Sequence, residues 1–285
     1  MSIKHSDIDT LAHISSGASR FSLKTIEAKL FVPMEMEDHK FTCTVYGKDF
    51  LNMIEKTAFS CSKDETRPVF TGCYFTVKDG KATMAATNTH RISIKSSDVA
   101  GDWPDMQPII IPSQAVNAIG KIMTEKDKLQ VFVDNTKIKV SSPTVTLISA
   151  LIEGDFPEYE KVIPKTSTTT VKVKTEIIRE ALERISIIAK ENLSHTMKLI
   201  FSESSIGIIS ENADIGKANE EIPADVQGEF ITIGFNVRYL LDVLKVNDGE
   251  EIQMEMTSPI APCKITGEDE DFLYIVTPVR LKEDD

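Results

Sequence analysis

Four segments of this chain carry apolar residues at three- and four-residue steps, and each follows a short run in which apolar and polar residues alternate. The first pattern is typical of an amphipathic helix, and the second is typical of a half-buried strand. The predicted strand and helix pairs are 41–45 with 50–59, 109–111 with 115–123, 170–173 with 177–189, and 230–233 with 237–246. Their recurrence every ~60 residues predicts one supersecondary unit that is used several times. The competing interpretation is a chance agreement among ordinary α+β elements.

Turn signals complete the repeated unit. Asp79-Gly80, Asp134-Asn135 and Asp248-Gly249 lie between or before strand-like runs and favour tight turns. The unit is therefore a strand, a helix and a small run of strands, which gives an α+β fold. Two units per domain predict a central domain at 39–164 and a C-terminal domain at 165–285.

Residues 1–38 have a different pattern. Short strands are predicted at 11–15 and 19–23 around a turn at Ser16-Gly17, and an acidic linker is predicted at 33–39. A few antiparallel strands without a covering helix do not make an independent core. This segment is therefore expected to be the end of something larger.

The charge distribution changes the picture of possible partners. The chain has 285 residues, 41% of them hydrophobic and 27% charged, and a formal net charge of -12. An acidic balance argues against nucleic acid as a partner. The predicted helices, however, are near neutral to mildly basic, so the acidity lies in strands and loops. Lysine and arginine on the helices are suited to contact phosphates without reading bases, or they are simply solvated.

Several classes of protein are disfavoured by what the sequence contains. It carries neither an apolar run of membrane-spanning length nor a basic-then-apolar start, which predicts a cytoplasmic protein with no membrane partner. The four cysteines are scattered, which predicts reduced core thiols and neither a metal site nor a cofactor. No P-loop, G-x-S-x-G or H-E-x-x-H motif is present. An enzyme that uses His90 with Asp98 or Glu65 as acid and base remains as an alternative.

Residues 87–94 are the strongest candidate for a recognition site. Thr87, Thr89, His90 and Arg91 are concentrated where a predicted strand meets a turn. A strand does not need such a cluster for its own stability, and polar groups at this place are common in binding sites. The competing interpretation is a surface turn with a hydrogen-bonded histidine.

Several separate motifs resemble one family in the same order along the chain. Residues 62–72 followed by 87–91, residues 153–164, residues 258–262 and residues 274–281 are similar to the bacterial DNA polymerase III beta subunit, the sliding clamp. The resemblance implies three domains of two repeats, with helices on the inner face and antiparallel sheets outside. It implies a homodimeric ring without a catalytic centre, which encircles duplex DNA, tethers the polymerase and contacts DNA independently of sequence.

The resemblance also implies a peptide-binding pocket between the second and third domains, with an apolar floor and donors for a peptide's carbonyl or carboxylate groups. Its expected lining is Phe70, Thr87, Thr89, His90, Arg91, Ile92, Pro157, Lys161, Val162, Ile260, Pro262, Ile275, Thr277, Pro278, Val279, Arg280 and Leu281. Expected ligands are short segments of the replicative polymerase alpha subunit, the clamp loader delta subunit and repair polymerases. The expected DNA-facing residues are Lys48, Lys56, Arg67, Lys121, Arg179, Arg184, Arg238 and Lys245.

Departures from the family pattern leave two functions open. Thr89 stands where glycine or serine is usual, Thr277 replaces an apolar methionine, and residues 282–285 extend past the usual ending. Residues 1–38 correspond only to strands of the first domain, without its first repeat and its second helix. The chain is therefore expected to be either a clamp that encircles DNA or a fragment that forms no ring and acts only as a peptide-binding adaptor.

Overall fold

The computed structural model describes residues 1–6, 10–32, 36, 41–99, 105–190 and 195–281. The chain divides into a small unit, Met1–Glu37, and a large unit, Asp38–Asp285. The acidic segment predicted as a linker and the C-terminal extension at 282–285 lie largely or wholly outside the described residues. The domain boundary near residue 164 stays a prediction.

The strands are numbered in chain order. They are β1 (Ser2–Ser6), β2 (Leu11–Ser16), β3 (Ser19–Lys24), β4 (Phe41–Tyr46), β5 (Gly72–Lys78), β6 (Lys81–Thr87), β7 (Arg91–Asp98), β8 (Met106–Pro112), β9 (Lys128–Val133), β10 (Lys137–Ser141), β11 (Thr146–Ala150), β12 (Thr169–Lys174), β13 (Thr196–Ser202), β14 (Ser205–Asn212), β15 (Gly216–Pro223), β16 (Asp225–Gly228), β17 (Thr232–Asn236), β18 (Glu251–Met256), β19 (Cys263–Thr266) and β20 (Phe272–Val276).

Four α-helices confirm the predicted repeat. They are α1 (Gly47–Thr57), α2 (Ser113–Ile122), α3 (Thr175–Ala189) and α4 (Val237–Val246), and each begins directly after strand β4, β8, β12 or β17. At the start of α4, the side chain of Asn236 accepts a hydrogen bond from the Arg238 amide at 2.9 Å, which satisfies a free donor of the first turn. None of the helices in the described part of the chain combines the length and apolar character that a membrane-spanning helix needs.

The small unit is a three-stranded antiparallel sheet in the order β1-β2-β3. Strands β2 and β3 pair from Leu11 opposite Lys24 to Ser16 opposite Ser19, so the predicted turn at Ser16-Gly17 is confirmed. Gly17 has a φ of 58°, which glycine adopts without strain. The side chains of Phe21 and Leu23 are exposed.

The described residues of the large unit form three antiparallel sheets. Their strand orders are β11-β10-β9-β4, then β16-β12-β18-β19-β20-β7-β6-β5-β8, then β15-β14-β13-β17. The hairpin between β5 and β6 turns at Asp79-Gly80, where both residues have positive φ, as its two-residue loop requires. The nine-stranded sheet runs from residues 72–112 to residues 169–276, so it joins the two halves of this unit.

Two apolar cores lie on either side of that junction. The first, within residues 41–140, buries Phe50, Met53 and Ile54 of α1 with Val116 and Ile119 of α2. The second, within residues 171–276, buries the apolar faces of α3 and α4, including Ile178, Leu182, Leu240 and Leu244. The helix residues predicted to form apolar stripes are thus the ones that pack against the sheets. We refer to residues 41–164 as the first half and to residues 165–281 as the second half.

Candidate functional site

The two halves meet along one pair of strands, which we call the seam. Strand β7 pairs with β20, with Arg91 opposite Val276, Ile92 opposite Ile275 and Lys95 opposite Phe272. The backbone hydrogen bonds of this pairing make the two halves parts of one sheet. A groove between them is therefore built on a fixed frame.

The ion pairs that the described residues form across the seam have the same polarity. The first half supplies the cation and the second half the carboxylate in Lys56–Asp248 at 2.6 Å, Arg91–Asp242 at 2.6 Å, Lys95–Asp269 at 2.7 Å and Lys81–Asp271 at 3.1 Å. Lys56, Arg91 and Lys95 are buried, whereas Lys81 is exposed. The three buried cations fix how the halves dock, whereas their carboxylates stay partly exposed, from 32% for Asp242 and Asp269 to 85% for Asp248.

Arg91 is the centre of the seam. Its Nη1 donates to Asp242, its Nη2 donates to the Phe59 carbonyl, and its guanidinium stands 4.6 Å from the Tyr239 ring centre. Burial opposes the charge on Arg91, but Tyr274 and Asp242 favour it and raise the pKa of the guanidinium. Burial raises the pKa of the Tyr274 hydroxyl, which donates to the Tyr239 carbonyl at 2.8 Å.

The turn between β6 and β7 presents His90 at the end of the seam. The Asn88 side chain accepts hydrogen bonds from the amides of His90 and Arg91, both at 3.1 Å. Thr89 has a φ of 75°, a left-handed conformation that costs a non-glycine residue about 1–3 kcal/mol. The strain arises because threonine carries a Cβ, which glycine lacks. His90 stacks on Tyr239, with 6.4 Å between ring centres.

A groove of about 670 Å³ opens beside this turn, and we call it the seam groove. Its lining is Phe59, Cys61, Ser62, Lys63, Asp64, Thr66, Arg67, Phe70, Asn88, Thr89, His90, Arg91, Arg238, Tyr239 and Asp242. Lys63, Arg67 and Arg238 are exposed cations, whereas Asp242 is held by Arg91. The groove is more polar than the predicted apolar floor, and its three exposed cations outnumber its one exposed acid, Asp64, which favours ligands that carry carboxylate or carbonyl oxygens.

The segment after β20 is held against the seam from both halves. The amide of Thr277 donates to the His90 carbonyl at 2.8 Å, and its hydroxyl donates to the same oxygen at 3.0 Å. Val279 forms a bridge to Gly234, with its amide 2.8 Å from the Gly234 carbonyl. Gly234 carries no Cβ, and this lets Leu281 and the Val279 carbonyl approach the strand closely.

The structure brings some predicted pocket residues together. Phe70, Thr89, His90 and Arg91 line the seam groove, and Thr277 contacts His90. Pro278, Val279 and Leu281 are half-buried, and Arg280 is exposed, in the segment that follows Thr277.

Other predicted pocket residues lie elsewhere. Thr87 and Ile275 are each 2% exposed, so the prediction that they line an open pocket is wrong. Both lie in strands of the nine-stranded sheet, where packing covers them. Ile92 points to the opposite face of β7 from Arg91, because strand side chains alternate, and it packs with the cluster of Ala85, Ile94 and Tyr159.

The remaining pocket residues lie in loops of the large unit. Pro157 precedes a short 3-10 helix, Tyr159–Val162, in which Lys161 pairs with Glu158. Pro157, Lys161, Val162 and Ile260 are exposed, and Pro262 is half-buried. Their contribution to a pocket stays a prediction.

One predicted DNA-facing residue is misplaced. Lys56 is only 1% exposed, because α1 lies against α4 and the Lys56 ammonium donates to the Val246 carbonyl and to Asp248. Its prediction as a DNA contact is therefore wrong. Arg67 is exposed but lines the seam groove.

The other predicted DNA-facing residues fall into two groups. Lys48, Lys121, Arg238 and Lys245 are exposed on helices, and Lys245 also lies 3.8 Å from Asp242. Arg184 is paired with Glu220 at 2.5 Å and Arg179 with Glu176 at 2.5 Å, so their charges are partly neutralised.

Sequence reasoning missed much of the groove. Phe59, Tyr239 and Asp242 belong to helical segments that were predicted only as apolar or cationic stripes. Tyr239 follows Arg238 on the exposed side of α4. An aromatic residue beside a cation on a polar stripe was the one sequence signal that could have indicated a binding surface here. Among the described residues, no group of three or more His, Cys, Asp or Glu side chains is placed to hold a metal ion.

Comparisons with known proteins agree over almost the whole chain. Residues 44–158 match the central domain of the DNA polymerase III beta subunit, and residues 160–280 match its C-terminal domain. The beta sliding clamp of Bacillus subtilis (strain 168) is 30% identical over 276 residues, which cover 95% of this chain and 72% of that relative. The chain belongs to the beta sliding clamp family.

Solved clamp structures have the same fold. The DNA polymerase III beta subunit of Thermotoga maritima superposes with a TM-score of 0.89 at 25% identity, covering 98% of this chain and 76% of that one. A sliding clamp from Pseudomonas aeruginosa bound to griselimycin also gives 0.89 at 25% identity, covering 98% and 75%. The predicted clamp fold is confirmed. Family membership also identifies a processivity factor rather than an enzyme, so it does not favour acid–base chemistry at His90.

Proposed function

We propose that this chain is a sliding clamp subunit that encircles duplex DNA in the cytoplasm and tethers a DNA polymerase. The match of 95% of the chain to a beta sliding clamp is the observation that carries this proposal. The repeated strand and helix units support it, because they leave cations exposed on helices whose apolar faces are buried. Sequence-independent phosphate contacts of this kind hold DNA weakly enough to permit sliding.

Retention on circular DNA tests the clamp against the adaptor that forms no ring. The full chain is loaded on nicked circular DNA by a clamp loader, and the bound protein is followed by gel filtration. A clamp stays on the circle and leaves when a nuclease linearises it, because topology holds it there. The ring would be rejected if retention did not change after linearisation. It would also be rejected if the protein were not retained at all and sedimented as a monomer.

Neutralising two exposed helix lysines is expected to weaken the DNA contact. The double variant Lys48→Ala with Lys121→Ala should bind DNA with a weaker salt dependence. The slope of log affinity against log salt concentration should fall in magnitude by ~0.9 for each phosphate contact that is lost. The control is Lys172→Ala, an exposed lysine on strand β12 rather than on a helix. Equal effects of the control and the double variant on the salt slope would show that the helix surface is not the DNA contact.

We further propose that the seam groove and the segment at 277–281 bind short peptide segments of polymerases and of the clamp loader. The groove places Phe70 and Tyr239 beside exposed cations, which suits peptides that combine an apolar anchor with carbonyl or carboxylate groups. The Pseudomonas aeruginosa relative bound to griselimycin shows that a clamp of this fold takes a ligand, which supports a binding site here as well.

Truncating the apolar anchors of the site is expected to weaken peptide binding. Phe70→Ala and Leu281→Ala should each raise the Kd for a Gln- and Leu-containing clamp-binding peptide about tenfold, since buried anchors dominate such interfaces. Fluorescence anisotropy of a labelled peptide measures this. The matched control is Ile187→Ala, an apolar side chain that is 68% exposed on α3. Unchanged affinity in both anchor variants would place the peptide site elsewhere.

A further inference from the structure

Two cysteines that are twelve positions apart in the sequence have adjacent thiols in the fold. The Sγ atoms of Cys61 and Cys73 are 3.5 Å apart, and both thiols are free. Cys61 directly follows the short 3-10 helix Ala58–Ser60, and Cys73 is the second residue of β5. Their spacing resembles no recognised redox motif, so the fold alone creates this pair.

The two thiols differ in access. Cys61 is half-buried and lines the seam groove, so it is the thiol of the pair that lies nearer to small molecules in the groove. Cys73 is fully buried, and its hydrogen bond to Cys61, together with burial, raises the pKa of the Cys73 thiol well above its usual value. Cys61 is therefore the first thiol to react, and Cys73 keeps its proton until a partner forms beside it.

We propose that Cys61 and Cys73 are a redox pair that closes to a reversible disulfide when a hydroperoxide oxidises Cys61, and that this closure alters the seam groove. The effect on peptide binding rests on the proposed function of the groove. The disulfide itself does not.

The chemistry balances with a hydroperoxide as the only oxidant. The Cys61 sulfur attacks the peroxide, an S–O bond forms, the O–O bond breaks, and Cys61 becomes a sulfenic acid while one water or alcohol leaves. The Cys73 sulfur then attacks the Cys61 sulfur, an S–S bond forms and the S–O bond breaks. The Cys73 proton leaves with the hydroxyl group as water. Two thiols lose two electrons, and the peroxide gains them.

Any backbone movement on closure is expected in the loop rather than in the strand. A disulfide needs the sulfur atoms at about 2.05 Å, so they must approach from 3.5 Å. Strand β5 is paired on both sides, with β6 and with β8, and Cys73 is part of the first core. The chain after Cys61 is held mainly at its ends, where the Ser62 amide donates to the Phe70 carbonyl at 2.8 Å.

The loop that moves is a wall of the seam groove. It carries Lys63 and Arg67, two of the exposed cations of the groove. Cys61 also lies two residues after Phe59, whose carbonyl accepts a hydrogen bond from Arg91 at the seam. A shift of Cys61 toward β5 therefore displaces groove cations from the positions that a ligand meets.

Mass spectrometry of the full chain tests the redox pair. The chain is treated with hydrogen peroxide, quenched, alkylated under denaturing conditions and digested. We expect a product lighter by two hydrogen atoms, in which the peptides of Cys61 and Cys73 are linked, and we expect dithiothreitol to reverse it. In Cys73→Ala, Cys61 should instead collect oxygen, and in Cys61→Ser no linked product should form. Wild-type Cys61 that gains oxygen while Cys73 remains free to alkylate would overturn the proposal.

Peptide affinity before and after oxidation tests the effect on the groove. The oxidised wild type should bind the labelled clamp-binding peptide severalfold more weakly, and reduction should restore the affinity. Cys61→Ser should bind the peptide equally before and after peroxide. A complete disulfide with unchanged affinity would refute the effect on the groove. If the reduced chain binds no peptide, the proposed peptide site fails, and the mass measurement still decides whether the pair forms.

Discussion

Arg91→Ala is expected to lower the free energy of unfolding by about 3 kcal/mol, because it removes the buried cation of an ion pair and leaves Asp242 with only the more distant Lys245, at 3.8 Å. The substitution also removes the donor to the Phe59 carbonyl and the contacts with the Phe59 and Tyr239 rings. Urea denaturation followed by circular dichroism measures the loss. A change within about 0.5 kcal/mol of zero would show that the seam does not depend on this residue.

Two further variants separate charge from geometry at Arg91. Arg91→Lys keeps the charge but lacks the fork that reaches Asp242 and Phe59 at once, so it should recover only part of the stability. The double variant Arg91→Ala with Asp242→Asn should lose less than the sum of the two single losses, since the two side chains interact directly. Strict additivity would contradict a direct coupling between them.

The same variants decide how Arg91 affects peptide binding. Its Nη1 and Nη2 are used within the seam, and its Nε is buried, with no hydrogen-bond partner among the described residues. Arg91 is only 7% exposed, so we expect it to position the groove rather than to donate to a peptide, although one N–H of each terminal nitrogen is not used by these contacts. Arg91→Ala and Asp242→Asn should weaken peptide binding in parallel. A loss of affinity in Arg91→Ala with normal affinity in Asp242→Asn would instead indicate direct contact with the peptide.

The repeated unit was predictable from sequence, because its signals are local. Apolar spacing within a helix and alternation within a strand are encoded over a few neighbouring residues, as in α4, where Leu240, Leu241 and Leu244 are buried as the pattern requires. The turn at Asp79-Gly80 is equally local, since it needs only two residues that tolerate positive φ.

The seam was not predictable in the same way, because its partners are distant in the sequence. Arg91 and Asp242 are 151 positions apart, and Lys56 and Asp248 are 192 apart. Each of these residues alone has the character of a solvated charge. The resemblance located Arg91 at a groove, but only the fold shows that its guanidinium is used to join the two halves. The Cys61–Cys73 contact was hidden in a similar way, since no recognised motif spans their spacing.

Lys56→Ala is expected to lower the free energy of unfolding by about 2–4 kcal/mol, through a cavity at the seam and an unsatisfied carbonyl at Val246. The Lys56 ammonium, which extends from α1, contacts the C-terminal end of α4, where the free carbonyl groups and the helix dipole favour a cation. It also stands 5.4 Å from the centre of the Phe272 ring. Chemical denaturation of the full chain measures the loss.

Matched variants divide the contribution of Lys56 among its parts. Lys56→Met keeps most of the buried stem and removes the ammonium, so its loss should be smaller than that of Lys56→Ala. Asp248→Asn should cost less than Lys56→Ala, because the Asp248 side chain is 85% exposed and the Lys56 ammonium keeps its hydrogen bond to the Val246 carbonyl. If Lys56→Met and Lys56→Ala lost equal amounts of stability, the whole effect would come from the ammonium group.

Lys48→Ala provides the decisive contrast, since Lys48 and Lys56 lie on the same helix and differ in exposure. Lys48→Ala should leave stability unchanged and reduce the salt dependence of DNA binding. Lys56→Ala should reduce stability, and at a temperature where it stays folded it should leave that salt dependence unchanged. The reverse result, a stable Lys56→Ala variant with weakened DNA binding, would mean that α1 turns this lysine toward DNA and that its contact with α4 does not hold in solution.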